Sequence, residues 1–158
     1  MALGNTILIQ SEPHGTFLSG YVSGTPKPGT CMEVYPATEP IGNLFTYRVY
    51  QPGTDGERRP VIVLLEDENQ GVGPTTAYTS GRLCRMYCPV PGEQLNMLMA
   101  DVAGTGDDHA IGDVLMIDTG TGKLIVTTGS PESEAFICLE TATDPAADAL
   151  LRCMYTGH

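Results

Sequence analysis

Few residues in this sequence have the types and spacing that chemistry requires, and the first candidates are two cysteines. Cys84 and Cys88 lie four residues apart in a stretch rich in β-forming residues, 81–89. Four residues of extended strand span about 13 Å, whereas a disulfide requires Cα atoms within roughly 7 Å of each other. If the stretch is a strand, the two thiols neither bridge nor share one metal ion. The chain has five cysteines and no visible secretion signal, so buried, reduced thiols are expected.

Asp118 ends a hydrophobic run, residues 114–117, and is followed by Thr119 and Gly120. Paired carboxylates can share a proton and activate water, and this pattern resembles the active-site strand of aspartic proteases. A retroviral-type protease carries one copy per chain and acts as a homodimer. The sequence departs from that family because Thr121 stands where Ala or Ser is usual, and because the family's second apolar-apolar-Gly element is not evident. The glycines here also suit an ordinary hairpin turn, which is the interpretation we prefer.

No other combination of residues indicates a catalytic or metal site. Asp107, Asp108 and His109 form an acidic cluster in a glycine-rich loop, but no further ligand spacing supports a cation site. His14 and His158 are not paired with a serine or cysteine in a recognisable nucleophile setting. The glycines do not form a phosphate loop followed by a helix. We therefore expect a protein that is not an enzyme and that holds no cofactor and no metal.

The charge balance excludes several classes of partner. Nineteen acidic and eight basic residues give a net charge of -11, and phosphate backbones repel such a surface, so nucleic-acid binding is not expected. The acidity serves solubility or complements a basic partner. No run of about 18 apolar residues is present, so no membrane span is predicted. The first residues lack the basic and apolar regions of a signal peptide, which predicts synthesis in the cytoplasm.

Short β-rich runs separated by glycine- and proline-rich turns predict an all-β fold, a barrel or a sandwich. The strongest runs are residues 45–50, 61–65, 83–88, 114–117, 123–128, 135–139 and 150–155. Residues 91–100 mix helix formers with an alternating pattern of Leu95, Met97 and Met99. The alternation favours a strand that presents these three side chains to the core.

An approximate internal repeat is the most informative feature. The sequence VIVLLE at residues 61–66 resembles AFICLE at residues 135–140, and RLCRMY at residues 82–87 resembles LLRCMY at residues 150–155. A strand led by glycine precedes each pair. The common order predicts two related β modules that bury a shared core. Cys84 and Cys153 are one place apart in this match, and adjacent strand positions face opposite sides, so one thiol is expected to be buried and the other exposed.

The repeat divides the chain into three predicted parts: an N-terminal arm at residues 1–27, a first β module at residues 28–100 and a second at residues 101–158. The two modules are expected to form one compact domain. The arm has a single apolar patch, consisting of Thr6, Ile7, Leu8 and Ile9, and cannot bury much by itself. It is either an ordinary edge strand with a loop or an extended arm that pairs with a neighbouring molecule.

Residues 110–126 and 135–142 carry a resemblance to a known family. They run Gly-Asp, apolar strand, Gly-rich turn, Lys and apolar strand, followed by a further strand, and residues 148–155 fit a closing strand. The pattern resembles the capsid decoration (cement) proteins of tailed bacteriophages over roughly residues 28–158. The chain departs from the smallest of these proteins in its doubled body and its cysteine-rich strand.

This resemblance implies a β-barrel or β-tulip-like body that binds the capsid exterior as a structural virion protein. Such proteins often form trimers or dimers, clamp neighbouring major capsid proteins and stabilise the expanded shell by mass action. The expected partners are therefore the major capsid protein and other copies of this chain. The patch at Thr6, Ile7, Leu8 and Ile9 would reach a neighbour by strand pairing, so removing residues 1–20 is expected to abolish shell binding and leave the body folded. A protease at Asp118 and a host-binding or fibre-base protein on the virion surface are the alternatives.

Overall fold

The part of the chain that the structure describes consists of short β-strands with one 3-10 turn, and this all-β architecture confirms the predicted fold class. A computed structural model describes residues 7–8, 14–36, 38–51, 60–100, 108–118, 120–126, 134–142 and 148–157. The strands are β1 (Thr16–Val22), β2 (Cys31–Val34), β3 (Thr46–Val49), β4 (Ile62–Leu64), β5 (Leu83–Cys88), β6 (Gln94–Leu98), β7 (Val114–Ile117), β8 (Leu124–Val126), β9 (Glu134–Cys138) and β10 (Leu150–Tyr155), with the 3-10 helix η1 at Glu68–Gln70. The predicted strand at residues 91–100 is β6, and Leu95, Met97 and Met99 are all buried.

The first five strands form a closed barrel in the order β1-β3-β2-β4-β5. An antiparallel ladder between β1 and β5 runs from Thr16 opposite Cys88 to Tyr21 opposite Leu83. A short parallel pairing of β1 with β3 closes the other side. Closure leaves fewer unpaired strand edges than an open sheet of the same size.

The last five strands form a sheet in the order β6-β10-β9-β7-β8. Its two outer strands approach each other at a parallel bridge between Met99 and Leu124. This bridge is the counterpart of the parallel pairing of β1 with β3. The strands β6 to β10 therefore repeat β1 to β5 in order, neighbours and direction, and this topology supports the predicted duplication.

Loop hydrogen bonds repeat at equivalent positions in the two modules. The N–H of Gly29 donates to the carbonyl of Leu64 at 2.8 Å, and the N–H of Gly112 donates to the carbonyl of Cys138 at 2.9 Å. Two further backbone hydrogen bonds of the first module have counterparts in the second. The N–H of Leu65 donates to the carbonyl of Arg85, as the N–H of Leu139 donates to the carbonyl of Arg152. The N–H of Val22 donates to the carbonyl of Arg82, as the N–H of Met99 donates to the carbonyl of Ala149. Each of these hydrogen bonds in the first module therefore identifies the equivalent residues of the second module.

The expectation that one of the repeated thiols is exposed is wrong, because Cys84 and Cys153 are both fully buried. The hydrogen bonds align Arg85 with Arg152, which shifts the last strand by one place from the sequence match. Cys84 precedes its arginine and Cys153 follows its arginine. Positions on either side of an outward-facing residue both point inward in a strand, so both thiols face the interior.

The hydrophobic run around β4 is continuous because the strand is buried on both faces. Ile62 and Leu64 point into the barrel, where they pack with residues such as Met32 and Met86. Val61 and Val63 point the other way and join a larger cluster with the interior of the second module. The two modules therefore share a core, as the repeat predicts.

The division of the chain by sheet differs from the predicted boundaries at residues 28 and 100. β1 lies within the predicted arm but is a barrel strand, and β6 lies within the predicted first module but belongs to the second sheet. Each module begins with the strand that pairs with its last strand. The sequence match did not reveal this because TFLSGYV in β1 and QLNML in β6 have little in common beyond their alternation.

Residues 29–31 of the first module lie between β6 and β8 of the second module, where these two strands do not pair continuously. The N–H of Leu98 on β6 donates to the carbonyl of Gly29 at 3.2 Å, and the N–H of Cys31 donates to the carbonyl of Gly122, just before β8, at 2.8 Å. A Cβ at Gly122 would lie 2.5 Å from the carbonyl oxygen of Cys31 and 2.8 Å from a methyl carbon of Thr30. The turn before β8 therefore requires glycine for backbone contact between the modules. We call this region, residues 29–31 with Leu98 and Gly122, the module junction.

Replacing Gly122 with Ala is expected to destabilise the protein more than replacing Gly120 with Ala. Both glycines have positive φ angles, 65° and 95°, so each substitution costs about 1–2 kcal/mol for the left-handed backbone. A Cβ at Gly120 meets nothing within 4 Å, whereas one at Gly122 adds overpacking worth about 1–3 kcal/mol. Urea unfolding of both variants measures the difference. Equal losses would contradict the close packing of the module junction.

Candidate interaction surface

Two of the four predicted arm residues are engaged within their own chain. Ile7 is completely buried, and Leu8 forms an antiparallel bridge to Leu95. The carbonyl of Ile7 accepts a hydrogen bond from the N–H of Asn96 at 2.8 Å, and its own N–H donates to the Glu66 carboxylate at 3.1 Å. Ile7 and Leu8 thus extend the second sheet at the edge of β6.

The other two arm residues, Thr6 and Ile9, lie outside the described residues. The placement of Ile7 changes the meaning of a truncation at residue 20. Such a truncation removes a core side chain together with residues 16–20 of β1, which pair with β5. Loss of binding by the truncated chain would therefore report a damaged barrel as readily as a lost arm.

A buried carboxylate holds the chain where it enters β1. Glu93 is 4% exposed and accepts hydrogen bonds from the Tyr87 hydroxyl at 2.5 Å and the N–H of Val90 at 2.8 Å. It also accepts from the N–H groups of His14 at 2.5 Å and Gly15 at 3.2 Å. Burial alone would raise the pKa of Glu93, but these four donors outweigh it and hold the pKa below its usual range. No pattern in the sequence indicates this anchor, because two of its four donors, His14 and Gly15, come from the other end of the first module.

Asp118 lies in a hairpin turn, as the preferred interpretation of its motif predicts. Ile117 on β7 pairs with Leu124 on β8, and the N–H of Asp118 donates to the carbonyl of Lys123 at 2.7 Å. The Asp118 carboxylate accepts a short hydrogen bond from the Thr121 hydroxyl. Thr119 lies outside the described residues. The side chain of Asp118 thus serves the turn that joins two strands.

The acidic cluster at residues 107–109 is only partly described. Asp108 is exposed, and Asp107 lies outside the described residues. His109 is 2% exposed, and neither ring nitrogen has a hydrogen-bond partner within the described part of the chain. Those residues also contain no group of three or more His, Cys, Asp or Glu side chains arranged to hold a metal ion. His14 is exposed, and His158 is outside the described residues.

A cleft between the modules brings together both lysines of the chain. Its volume is about 310 Å³, and its walls include Thr30 and Leu98. Lys27 from the first module and Lys123 from the second both contact the carboxylate of Asp148, with Lys27 at 2.7 Å. Hydrogen bonds from Lys123 and Lys27 hold the pKa of Asp148 below its usual range. This ion-pair cluster joins the modules on the side of the module junction.

The cysteines lie mostly inside the protein. All five are free, and Cys88 alone is only partly buried. Burial raises the pKa of Cys84 to about 12 and raises the pKa of Cys31 as well. Cys84 and Cys88 are both on β5, so the predicted strand geometry that keeps them apart is confirmed. Thiols of raised pKa are poor nucleophiles at neutral pH.

The outside of the barrel carries an apolar surface that the sequence did not reveal as a site. Phe17, Phe45 and Leu83 are 49%, 47% and 42% exposed. Tyr21 lies directly opposite Leu83, and its N–H donates to the carbonyl of Phe45 at 3.0 Å. We call Phe17, Tyr21 and Leu83, which occupy outward positions of the neighbouring strands β1 and β5, the outer barrel face. Clustered exposed side chains of this size mark interaction sites, and the outward positions of an alternating strand are the signal that could have found Phe17 and Tyr21.

No helix in the described part of the chain has the length and hydropathy of a membrane span.

Replacing Glu93 with Gln is expected to lower the free energy of unfolding by about 1–3 kcal/mol, because buried N–H donors lose a charged acceptor. Its depressed pKa means that Glu93 stabilises the fold above its unfolded-state pKa, and that this contribution is lost as the pH falls through the folded-state pKa. Stability measured from pH 7 to pH 3 should therefore decline less in the variant. Replacing the exposed Glu68 with Gln is the control. A Glu93 variant as stable as wild type at pH 7 would show that the anchor contributes nothing.

Replacing Asp148 with Asn is expected to lower stability by about 1 kcal/mol or less at low salt, since the pair is partly exposed and screened. Asn tolerates the positive φ of 64° at this position, so the change removes charge without backbone strain. The difference from wild type should shrink in high salt and as the pH falls through the depressed pKa of Asp148. Unfolding at two salt concentrations measures it. A difference that is independent of salt would argue against an electrostatic role.

Comparison with known proteins yields a likeness of fold. No protein-family model matches the sequence, and no curated protein matches it. A solved structure, the head fiber gp8.5 N base of bacteriophage phi29, superposes with a TM-score of 0.53 at 10% sequence identity. The similarity covers 90% of this chain and 94% of that chain. It therefore extends over both modules, and this chain shares the overall all-β fold of that protein.

Proposed function

We propose that this chain is a structural protein of a bacteriophage virion that binds the outside of the head. The observation that carries the proposal is the fold similarity to a head fiber base, which spans 90% of this chain. Fold by itself does not determine function. The proposal gains support from the pattern in residues 110–126 and 135–142 that resembles phage decoration proteins, an independent feature of the sequence.

The described side chains fit a role in binding better than one in catalysis. Asp118, the residue with the strongest catalytic motif, is hydrogen-bonded to Thr121 within a hairpin turn. The thiol of Cys84 is buried and its pKa is raised to about 12. The outer barrel face, in contrast, exposes the large apolar side chains of Phe17 and Leu83 on adjoining strands. Such a surface suits a partner protein.

The finer proposal is that the chain is a decoration protein that clamps neighbouring major capsid proteins. Binding to the expanded shell alone would stabilise that state by mass action, and several copies around a symmetry axis would add avidity. The net charge of -11 would complement basic surfaces of the shell. In this role the protein would cover many equivalent sites on the head.

A second candidate is the base of a head fibre, and the fold similarity to a protein of that description favours it specifically. A fibre base would anchor a longer structure to the head. It would occupy fewer sites, and its main effect would be attachment, with little effect on the stability of the shell. The two candidates share the location on the head and differ in what binding does.

Purified chain is expected to co-sediment with expanded shells of its phage and to remain in the supernatant with unexpanded shells. A decoration protein should raise the temperature at which bound shells disassemble, whereas a fibre base should leave it unchanged. If the acidic surface contributes, binding should weaken between low and high salt. An unrelated acidic protein of similar size is the control for nonspecific adhesion. Failure to bind shells in either state would refute both candidates.

A further inference from the structure

The two modules differ at one edge. In the second module, Ile7 and Leu8 lie along β6, where the carbonyl of Ile7 accepts the N–H of Asn96 and Leu8 bridges Leu95. The equivalent edge of the first module belongs to β1. Backbone hydrogen bonds show which residues of β1 and β6 are equivalent. The N–H of Val22 donates to the carbonyl of Arg82, and the N–H of Met99 donates to the carbonyl of Ala149 in the same way. Counting back along both strands aligns Ser19 with Asn96.

The N–H and C=O groups of Ser19 and Phe17 point to the open edge of β1. Val22 donates towards β5, and Tyr21 donates to Phe45 on the β3 side. In an antiparallel ladder these directions alternate from residue to residue, so Ser19 and Phe17 face the β3 side. β3 pairs with β1 only at Tyr21 and Val22. Among the described residues, nothing pairs with the edge that runs from Phe17 to Ser19.

This edge lacks the features that usually protect a strand from pairing. Residues 16–20, TFLSG, contain no proline, lysine or other charged residue. Ser19 is exposed, and Phe17 next to it is 49% exposed. Two arginines lie near this edge, since Arg85 lies opposite Ser19 on β5 and Arg82 immediately precedes that strand, both exposed. In the described part of the chain neither arginine forms an ion pair.

We propose that the edge of β1 at Phe17 and Ser19 binds an extended segment of a partner protein by strand addition. The segment would run antiparallel to β1, as Leu8 does to β6. It would carry apolar residues to cover Phe17 and the outer barrel face, and acidic residues to meet Arg82 and Arg85. Backbone hydrogen bonds supply affinity in this mode of recognition, and alternate side chains supply selectivity.

A second copy of this chain fits the edge less well than a different protein. The segment of this chain known to pair with such an edge contains Ile7, which is fully buried in its own molecule. If Ile7 paired with β1 of a neighbouring copy, the edge of β6 in its own molecule would lose its partner, and the apolar core position that Ile7 occupies would be left unfilled. An acidic chain would also meet its own copy with a repulsive net charge.

The inference deepens the proposed function by naming the surface through which a virion partner would bind. It can be tested without a particle, so its failure and the failure of the proposed function are distinguishable. If shells bind but the edge does not take a strand, only the inference fails. If a peptide binds the edge but shells do not bind, only the virion role fails.

The test uses the full chain and two peptides, acetyl-DTILIE-amide and acetyl-KTILIK-amide, observed through amide resonances. The acidic peptide is expected to shift the amides of Phe17 and Ser19, and to bind more tightly than the basic one at low salt. Ser19→Pro removes the outward N–H without removing a bond to β5 and should weaken binding about tenfold or more. The matched control Ser19→Ala keeps the N–H and should bind as wild type does.

N-methylated peptides keep the test valid if Ser19→Pro disturbs the barrel. Every second residue of a bound peptide would direct its backbone N–H to β1. Methylation of these nitrogens should abolish binding, whereas methylation of the nitrogens of the residues between them should not. Shifts confined to Asn96 and Leu95 would mean that the peptide displaces Ile7 and Leu8, and would overturn the proposal. Equal peptide binding by the Ser19→Pro and Ser19→Ala variants would also overturn the proposal. Self-association of the wild-type chain that Ser19→Pro abolishes would overturn it too, because the edge would then bind a second copy of this chain.

Discussion

The backbone contact at the module junction is the constraint on which the rest of the structure depends. The second sheet approaches closure at the bridge between Met99 and Leu124, and residues 29–31 of the first module occupy the remaining gap between β6 and β8. The close fit at Gly122 leaves no room for a side chain. The salt bridges of Asp148 with Lys27 and Lys123 lie beside this contact. Closure of one module thus requires the other, which explains why two small units behave as one core.

The two modules share their backbone pairing more closely than their side chains. The interior positions of the barrel and of the second sheet correspond, but Cys84 is replaced by Leu151 and Met86 by Cys153. Both sets are buried, so each interior is filled by residues of different shape in the same register. Packing tolerates such exchanges when total volume is kept, whereas a shift of one residue in the ladder would turn every side chain to the other face.

The two modules differ at the edge of their first strand. At β6, Ile7 and Leu8 complete the edge. At β1, the matching edge is open within the described residues and borders the outer barrel face, with Arg82 and Arg85 nearby. Without this difference the two modules would present two equivalent edges. The proposed strand-addition site therefore belongs to the first module alone.

The sequence alone was enough to predict the all-β class, the repeat, the strand at β6 and the hairpin at Asp118. Each of these depends on local alternation, on turn residues or on similarity between two stretches, and such signals are readable from one chain. The tertiary structure decided the positions of Ile7 and β1, the partners of Glu93, the common burial of Cys84 and Cys153, and the open edge at Ser19. These features depend on which strands are neighbours and in what register. Pairing between residues tens of positions apart is set by the packing of the whole core, which no local pattern records.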